Sequence, residues 1–86
     1  MKKHIGTITI FSNDRHNNAV RLQEVLTDSS NLIRSRFGIN LAPLCSEKCP
    51  GVIVLVVEGT IAQINALTKK IDKIYAVKAK NVIISK

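Results

Sequence analysis

Val52-Ile53-Val54-Leu55-Val56-Val57 is a run of six aliphatic residues with no polar position in it. A strand that packs on one face alternates apolar and polar side chains, so a run without alternation reads as a strand with both faces covered. Directly after it comes a turn, Glu58-Gly59-Thr60, with Thr60 placed to N-cap a helix in which Ile61, Ile64, Leu67 and Ile71 recur every three or four residues. A last strand over residues 76–85 alternates Val77 and Ala79 with Lys78 and Lys80, then becomes apolar at 82–84.

Upstream of the run, residues 32–39 set Ile33, Ser35, Phe37 and Ile39 against Leu32, Arg34 and Arg36, the period of a half-exposed strand. The connection between these two strands, 40–51, holds both prolines and both cysteines and exceeds the ~2–5 residues usual for a hairpin loop. Earlier still, Ile8 and Ile10 alternate with Thr7 and Thr9 in a strand over 5–11. Ser12-Asn13-Asp14-Arg15 then turns the chain into a helix over 17–29, with Ala19, Leu22, Val25 and Leu26 on its apolar side. The small polar residues of 27–31 bond their own backbone and end that helix.

Strand, helix, strand, strand, helix, strand is the order of two split βαβ units. The fold class expected is α+β: a ferredoxin-like βαββαβ sandwich, a four-stranded antiparallel sheet with two helices on one face and the first and third strands central. A chain of 86 residues has room for a single domain over 1–86, and with 3% aromatic residues its core must be aliphatic. The helix-free face of the sheet would still receive side chains from the 52–57 run, and an exposed aliphatic sheet face is an interaction surface. The expectation is a homo-oligomer, dimer or tetramer, with Val52, Val54 and Val56 in the subunit interface.

Thirteen Lys and Arg against six Asp and Glu give a formal charge of +7, which favours anionic partners. No five of these basic residues are consecutive, so the charge reads as a solvated surface. Arg34 and Arg36, with Lys78 and Lys80, would compose a basic sheet face able to receive phosphates. RNA readers of this architecture stack bases on aromatics of their central strands. Here those strands offer only Phe11, and direct nucleic-acid binding is not expected. No segment approaches the ~20 apolar residues of a membrane span, and the stretch after Met1-Lys2-Lys3-His4 is too interrupted for a secretory signal. A cytoplasmic location is the expectation, and there both cysteines would be reduced thiols.

Cys45 and Cys49, four positions apart, supply two of the four ligands of a tetrahedral zinc or iron site, the rest coming from a second subunit or a histidine. They could equally close a reversible disulfide, and incidental loop thiols are the plainest reading. His4 and His16 lie at opposite ends of the first strand, too far apart to share a ligand within one chain. The turn Asn13, Asp14, Arg15, His16 and Asn17 either caps its helix or binds a small effector with help from the helix N–H groups. With no Gly-rich phosphate loop and no Ser or Cys beside a histidine, neither enzymatic activity nor a cofactor is expected. A small acylphosphatase-like hydrolase, using Arg15 or Arg36 with an Asn in a phosphate-binding turn, is the minor alternative.

Asn13-Asp14-Arg15, Ile33-x-x-Arg36-Phe37-Gly38, the Val-rich third strand and Ile64-x-x-Leu67-Thr68-x-Lys70-Ile71 together resemble the ACT-like family named for regulation of the iron-only hydrogenase system. Its fold is similar to the ligand-binding domain of nickel-responsive repressors, and the resemblance covers nearly the whole chain. It implies an oligomeric, ferredoxin-like regulatory domain without catalytic residues. ACT domains take effectors where the first strand enters the first helix, where Asp14 falls, often at an Asp-x-Pro-Gly turn. Here Asp14 is succeeded by Arg15-His16-Asn17. The function expected is a small oligomeric, effector-sensing, transcription-related regulator. The alternative is a metal- or redox-responsive binding protein using Cys45 and Cys49.

Overall fold

The computed structural model describes residues 3–41 and 49–85. It contains β1 (His4–Ser12), α1 (Arg15–Asp28), β2 (Ile33–Asn40), β3 (Gly51–Gly59), α2 (Ile61–Asp72) and β4 (Val77–Ser85). The strands form one sheet in the order β2-β3-β1-β4, and every neighbouring pair is antiparallel. This is the ferredoxin-like βαββαβ arrangement, with β1 and β3 central. Neither helix is long and apolar enough to cross a membrane.

Ile8 and Ile10 of β1 and Leu55 and Val57 of β3 meet Leu22, Val25 and Leu26 of α1 and Ile64, Leu67 and Ile71 of α2 in an aliphatic core. Each such side chain taken fully out of water contributes about 1.5–3 kcal/mol of transfer free energy. The register divides the 52–57 run between two faces. Leu55 and Ile53 stand opposite Ile8 and Ile10, beneath the helices, whereas Val52, Val54 and Val56 stand opposite Phe11, Thr9 and Thr7 on the other face. A sheet with helices on one side therefore gives a central strand apolar residues in both directions.

Three details depart from the expectation. In α1 the buried stripe is Asn18, Leu22, Val25 and Leu26, while Ala19 is exposed. The spacing is equally helical, but the stripe begins one residue earlier, on an amide. In α2, Ile61 sits at the exposed first turn, and only Ile64, Leu67 and Ile71 are buried.

The third departure removes the basic sheet face. The β2–β3 register shifts between Ile33 and Ser35, and such a bulge takes one residue out of alternation. Arg34 lies at the shift and pairs with Glu58 Oε1 at 3.0 Å. Arg36, opposite Leu55, points to the helix side and donates to Gln23 Oε1 of α1 at 3.1 Å. Lys78 and Lys80 stand opposite Phe11 and Thr9, on the open face. The four cations thus share no common surface.

The second half is closed by polar contacts. Thr60 and Gln63 form a reciprocal capping box at the start of α2, satisfying two otherwise orphaned N–H groups. Asn81 of β4 donates to Asn65 Oδ1 and Thr68 Oγ1 of α2, and Asp72 accepts from the Ala79 N–H. At the far end of β1 the pairing with β4 slips between Ile5 and Gly6. A Cβ on Gly6 would lie 2.7 Å from the Val82 carbonyl oxygen, so only glycine permits the strands to approach this closely there.

Candidate functional site

The end of β1 enters the core as a polar group. Ser12 is 1% exposed, and its hydroxyl donates to Asn18 Oδ1 at 3.0 Å. Asn18 Nδ2 in turn donates to the Tyr75 carbonyl at 3.0 Å, and the Asn13 N–H donates to the Ala76 carbonyl at 2.9 Å. These bonds tie the β1–α1 junction to the α2–β4 connection, where Ala76 adopts φ +58°. Among the described residues no buried polar side-chain atom lacks a partner, as expected where desolvation of an unpaired group would be costly.

Beside this clamp, between α1 and the β2–β3 hairpin, lies a cavity of about 410 Å³. Its polar wall includes Ser12, Arg15, Gln23 and Arg36, and its apolar wall includes Leu22 and Ile53. Among the described residues two cations and no carboxylate border it. Gly51 forms part of the floor: a Cβ there would sit 3.1 Å from the Ile39 carbonyl and 3.2 Å from Arg15 Cδ. The missing side chain leaves room for the Arg15 stem.

The five turn residues do not converge on one site. Only Arg15 borders the cavity. Asp14 is buried and is the N-cap position of α1, but its side chain makes no capping bond. Instead its Oδ2 accepts from Asn17 Nδ2 at 2.7 Å, and its carbonyl accepts from the N–H groups of Asn17 and Asn18. His16 turns toward the β2–β3 connection, with Nε2 3.3 Å from Cys49 Sγ.

Cys49 is held in a disulfide, which replaces the expected reduced thiol. The chain's other cysteine, Cys45, lies outside the described residues. Among the described residues no group of three or more His, Cys, Asp or Glu is arranged to hold a metal. Nothing local in the sequence connects His16 with Cys49, which lie 33 residues apart. Ser12 was legible only as part of the turn, and Asn18, Gln23 and Gly51 were not among the expected site residues. An Asn one position ahead of Ala19, able to begin the same helical stripe, is the one signal in the sequence that could have found Asn18.

An open-sided α+β sandwich with a cleft at the β1–α1 junction places the chain in the class of small ferredoxin-like domains. Residues 4–81 match the TM1266-like family model, described as "Iron-only hydrogenase system regulator, putative", and the chain belongs to that family. Uncharacterized protein TM1266 from Thermotoga maritima is 26% identical, with a TM-score of 0.86 over 98% of this chain and 100% of that one. An unknown protein from Galdieria sulphuraria has a TM-score of 0.63 at 11% identity over 99% of this chain and 47% of that one. The PII-like protein CPII of Thiomonas intermedia K12, solved with ADP, AMP and bicarbonate, has a TM-score of 0.52 at 8% identity, covering 99% and 92%. These last two share the fold. None of the curated proteins compared matches the sequence.

Proposed function

We propose that this chain is a non-enzymatic, cytoplasmic, homo-oligomeric regulator whose copies pair through the helix-free face of the sheet and which takes a small effector beside the β1–α1 junction. The open face carries the reading. Phe37, Ile39, Val82 and Ile84 are 59%, 52%, 60% and 62% exposed, and Phe11, Val52, Val54 and Val56 continue the surface across the central strands. Thr7, Thr9, Lys78 and Lys80 also stand on this face, but Phe37, Ile39, Val52, Val54 and Phe11 adjoin one another as an apolar strip. Such a strip is uncommon on a monomer, and a second copy of it is its simplest complement, joined by a twofold axis. Membership of a family named for regulation supports a controlling role rather than a catalytic one.

Val54 lies at the centre of that face, opposite Thr9 on one side and Phe37 on the other. Size-exclusion chromatography with light scattering should give a dimer or tetramer for the wild type. Val54→Lys should give a monomer with unchanged circular dichroism, because an uncompensated ammonium would be desolvated in the interface. A monomeric wild type would overturn the proposal.

One observation favours a second reading, a redox-responsive protein. Cys49 is oxidised, and the neighbouring His16 imidazole can donate a hydrogen bond to the thiolate formed on reduction. Reduction by a dithiol, which delivers two electrons and two protons to the bridge, would then change assembly size. If light scattering is identical with and without dithiol, this reading fails and the first is unaffected.

A further inference from the structure

The cavity between α1 and the β2–β3 hairpin has the composition of a binding site for a charged small molecule. We infer that it binds an organic oxyanion, a phosphate ester or a carboxylate, held between Arg15 and Arg36 with its apolar body against Leu22 and Ile53. This rests on the regulator reading and names the chemical class of its effector.

Four observations support it. First, the volume of about 410 Å³ falls in the range of small-molecule pockets, roughly 300–1,000 Å³. Second, among the described residues the wall charge is of one sign: two arginines and no carboxylate. Arginine's planar fork suits carboxylate and phosphate oxygens better than a lysine ammonium does.

Third, Arg15 is held in place without being neutralised. Its stem lies over Gly51, with Nη1 3.5 Å from where a Cβ would stand, and its guanidinium has no ion pair among the described residues, where the pairs are Arg21–Glu24 and Arg34–Glu58. Fourth, Arg36 is oriented from α1 by a neutral group, Gln23 Oε1 at 3.1 Å. One of its donors is used and its charge is kept. The bulge at Ile33/Ser35 gives this positioning its origin, by sending Arg34 to Glu58 and Arg36 to the cavity.

Isothermal titration with phenyl phosphate, benzoate and uncharged benzyl alcohol tests the assignment. Wild type, Arg15→Gln, Arg36→Gln and the control Lys80→Gln are compared, the control lying on the opposite face of the sheet. Both arginines are at the surface or partly so, so their removal leaves the core intact, which thermal melts verify. At least one anion should saturate the wild type and lose about ten- to a hundredfold in affinity in each arginine variant, as expected for a charge-assisted hydrogen bond. Lys80→Gln should bind as wild type, and benzyl alcohol should not bind. Tighter phenyl phosphate assigns a phosphate ester, and tighter benzoate a carboxylate.

If neither anion saturates at millimolar concentration, or if Lys80→Gln loses as much as the arginine variants, the inference is wrong and only the net charge is being read. Light scattering on the same samples separates the two levels of argument. An intact oligomer without anion binding defeats this inference alone, and a monomer that binds the anion defeats the assembly reading alone.

Discussion

Asn18 is 1% exposed, and its carboxamide accepts from Ser12 on one side and donates to the Tyr75 carbonyl on the other. Leucine has nearly the same size but neither function. Asn18→Leu would leave a buried hydroxyl and a part-buried carbonyl unpaired, at about 1–3 kcal/mol for a fully buried group and less for one that water can reach. The expected loss is about 2–4 kcal/mol, read as a lower urea midpoint with an unchanged slope. An unaltered midpoint would show that the clamp carries no net stability. Ala76, whose carbonyl accepts from Asn13, adopts φ +58°, a region that costs an L-residue about 1–2 kcal/mol. Glycine relieves that strain but loses more chain entropy, so Ala76→Gly should gain about 0.5–1 kcal/mol by the same assay. At this scale the sequence was only half readable. The turn at Ser12–Asp14 announced itself by its small polar residues. Asn18 did not, because helical spacing accepts either residue 18 or residue 19 as the start of the stripe, and hydrophobicity chose Ala19. The bond that decides in favour of Asn18 runs to a carbonyl 57 residues away.

Elements whose stabilising contacts are local were the most legible. Thr60 was legible as an N-cap, and the structure adds Gln63, three residues on, to complete the capping box with which α2 begins. Thr60→Ala should cost about 1 kcal/mol, seen as a lower thermal midpoint, whereas an unchanged midpoint would mean that water serves the helix end equally well. The strands were placed to within two residues at each end by their period. What the period could not carry was the bulge in β2: alternation extended across Ile33–Arg36 puts Arg34 and Arg36 together, and a single shifted residue separates them. The pocket was hidden for the same reason. Its walls come from α1, β2 and β3, and they meet only once the register is fixed.

For the whole molecule, assembly should couple to folding. If copies associate through the open face, mass action makes the thermal midpoint rise with protein concentration. A comparison at roughly 5 and 500 µM should show an increase for the wild type and none for Val54→Lys; a flat wild-type midpoint counts against association. The open face was legible because six aliphatic residues in a central strand cannot all lie under two helices. Such a run has another side to it. A Val- and Ile-rich segment without charge, proline or glycine is the composition that stacks into cross-β fibrils when released. Here it is β3, hydrogen-bonded to β2 on one side and to β1 on the other, so no unpaired backbone of the segment is available to a passing chain. The strands left at the margins are β2 and β4, with Arg34, Arg36, Lys78 and Lys80 along them and slipped pairing to their neighbours. Charge and irregularity of this kind discourage strand-by-strand growth. The strand order thus keeps the most amyloid-prone part of the sequence from seeding an endless ribbon.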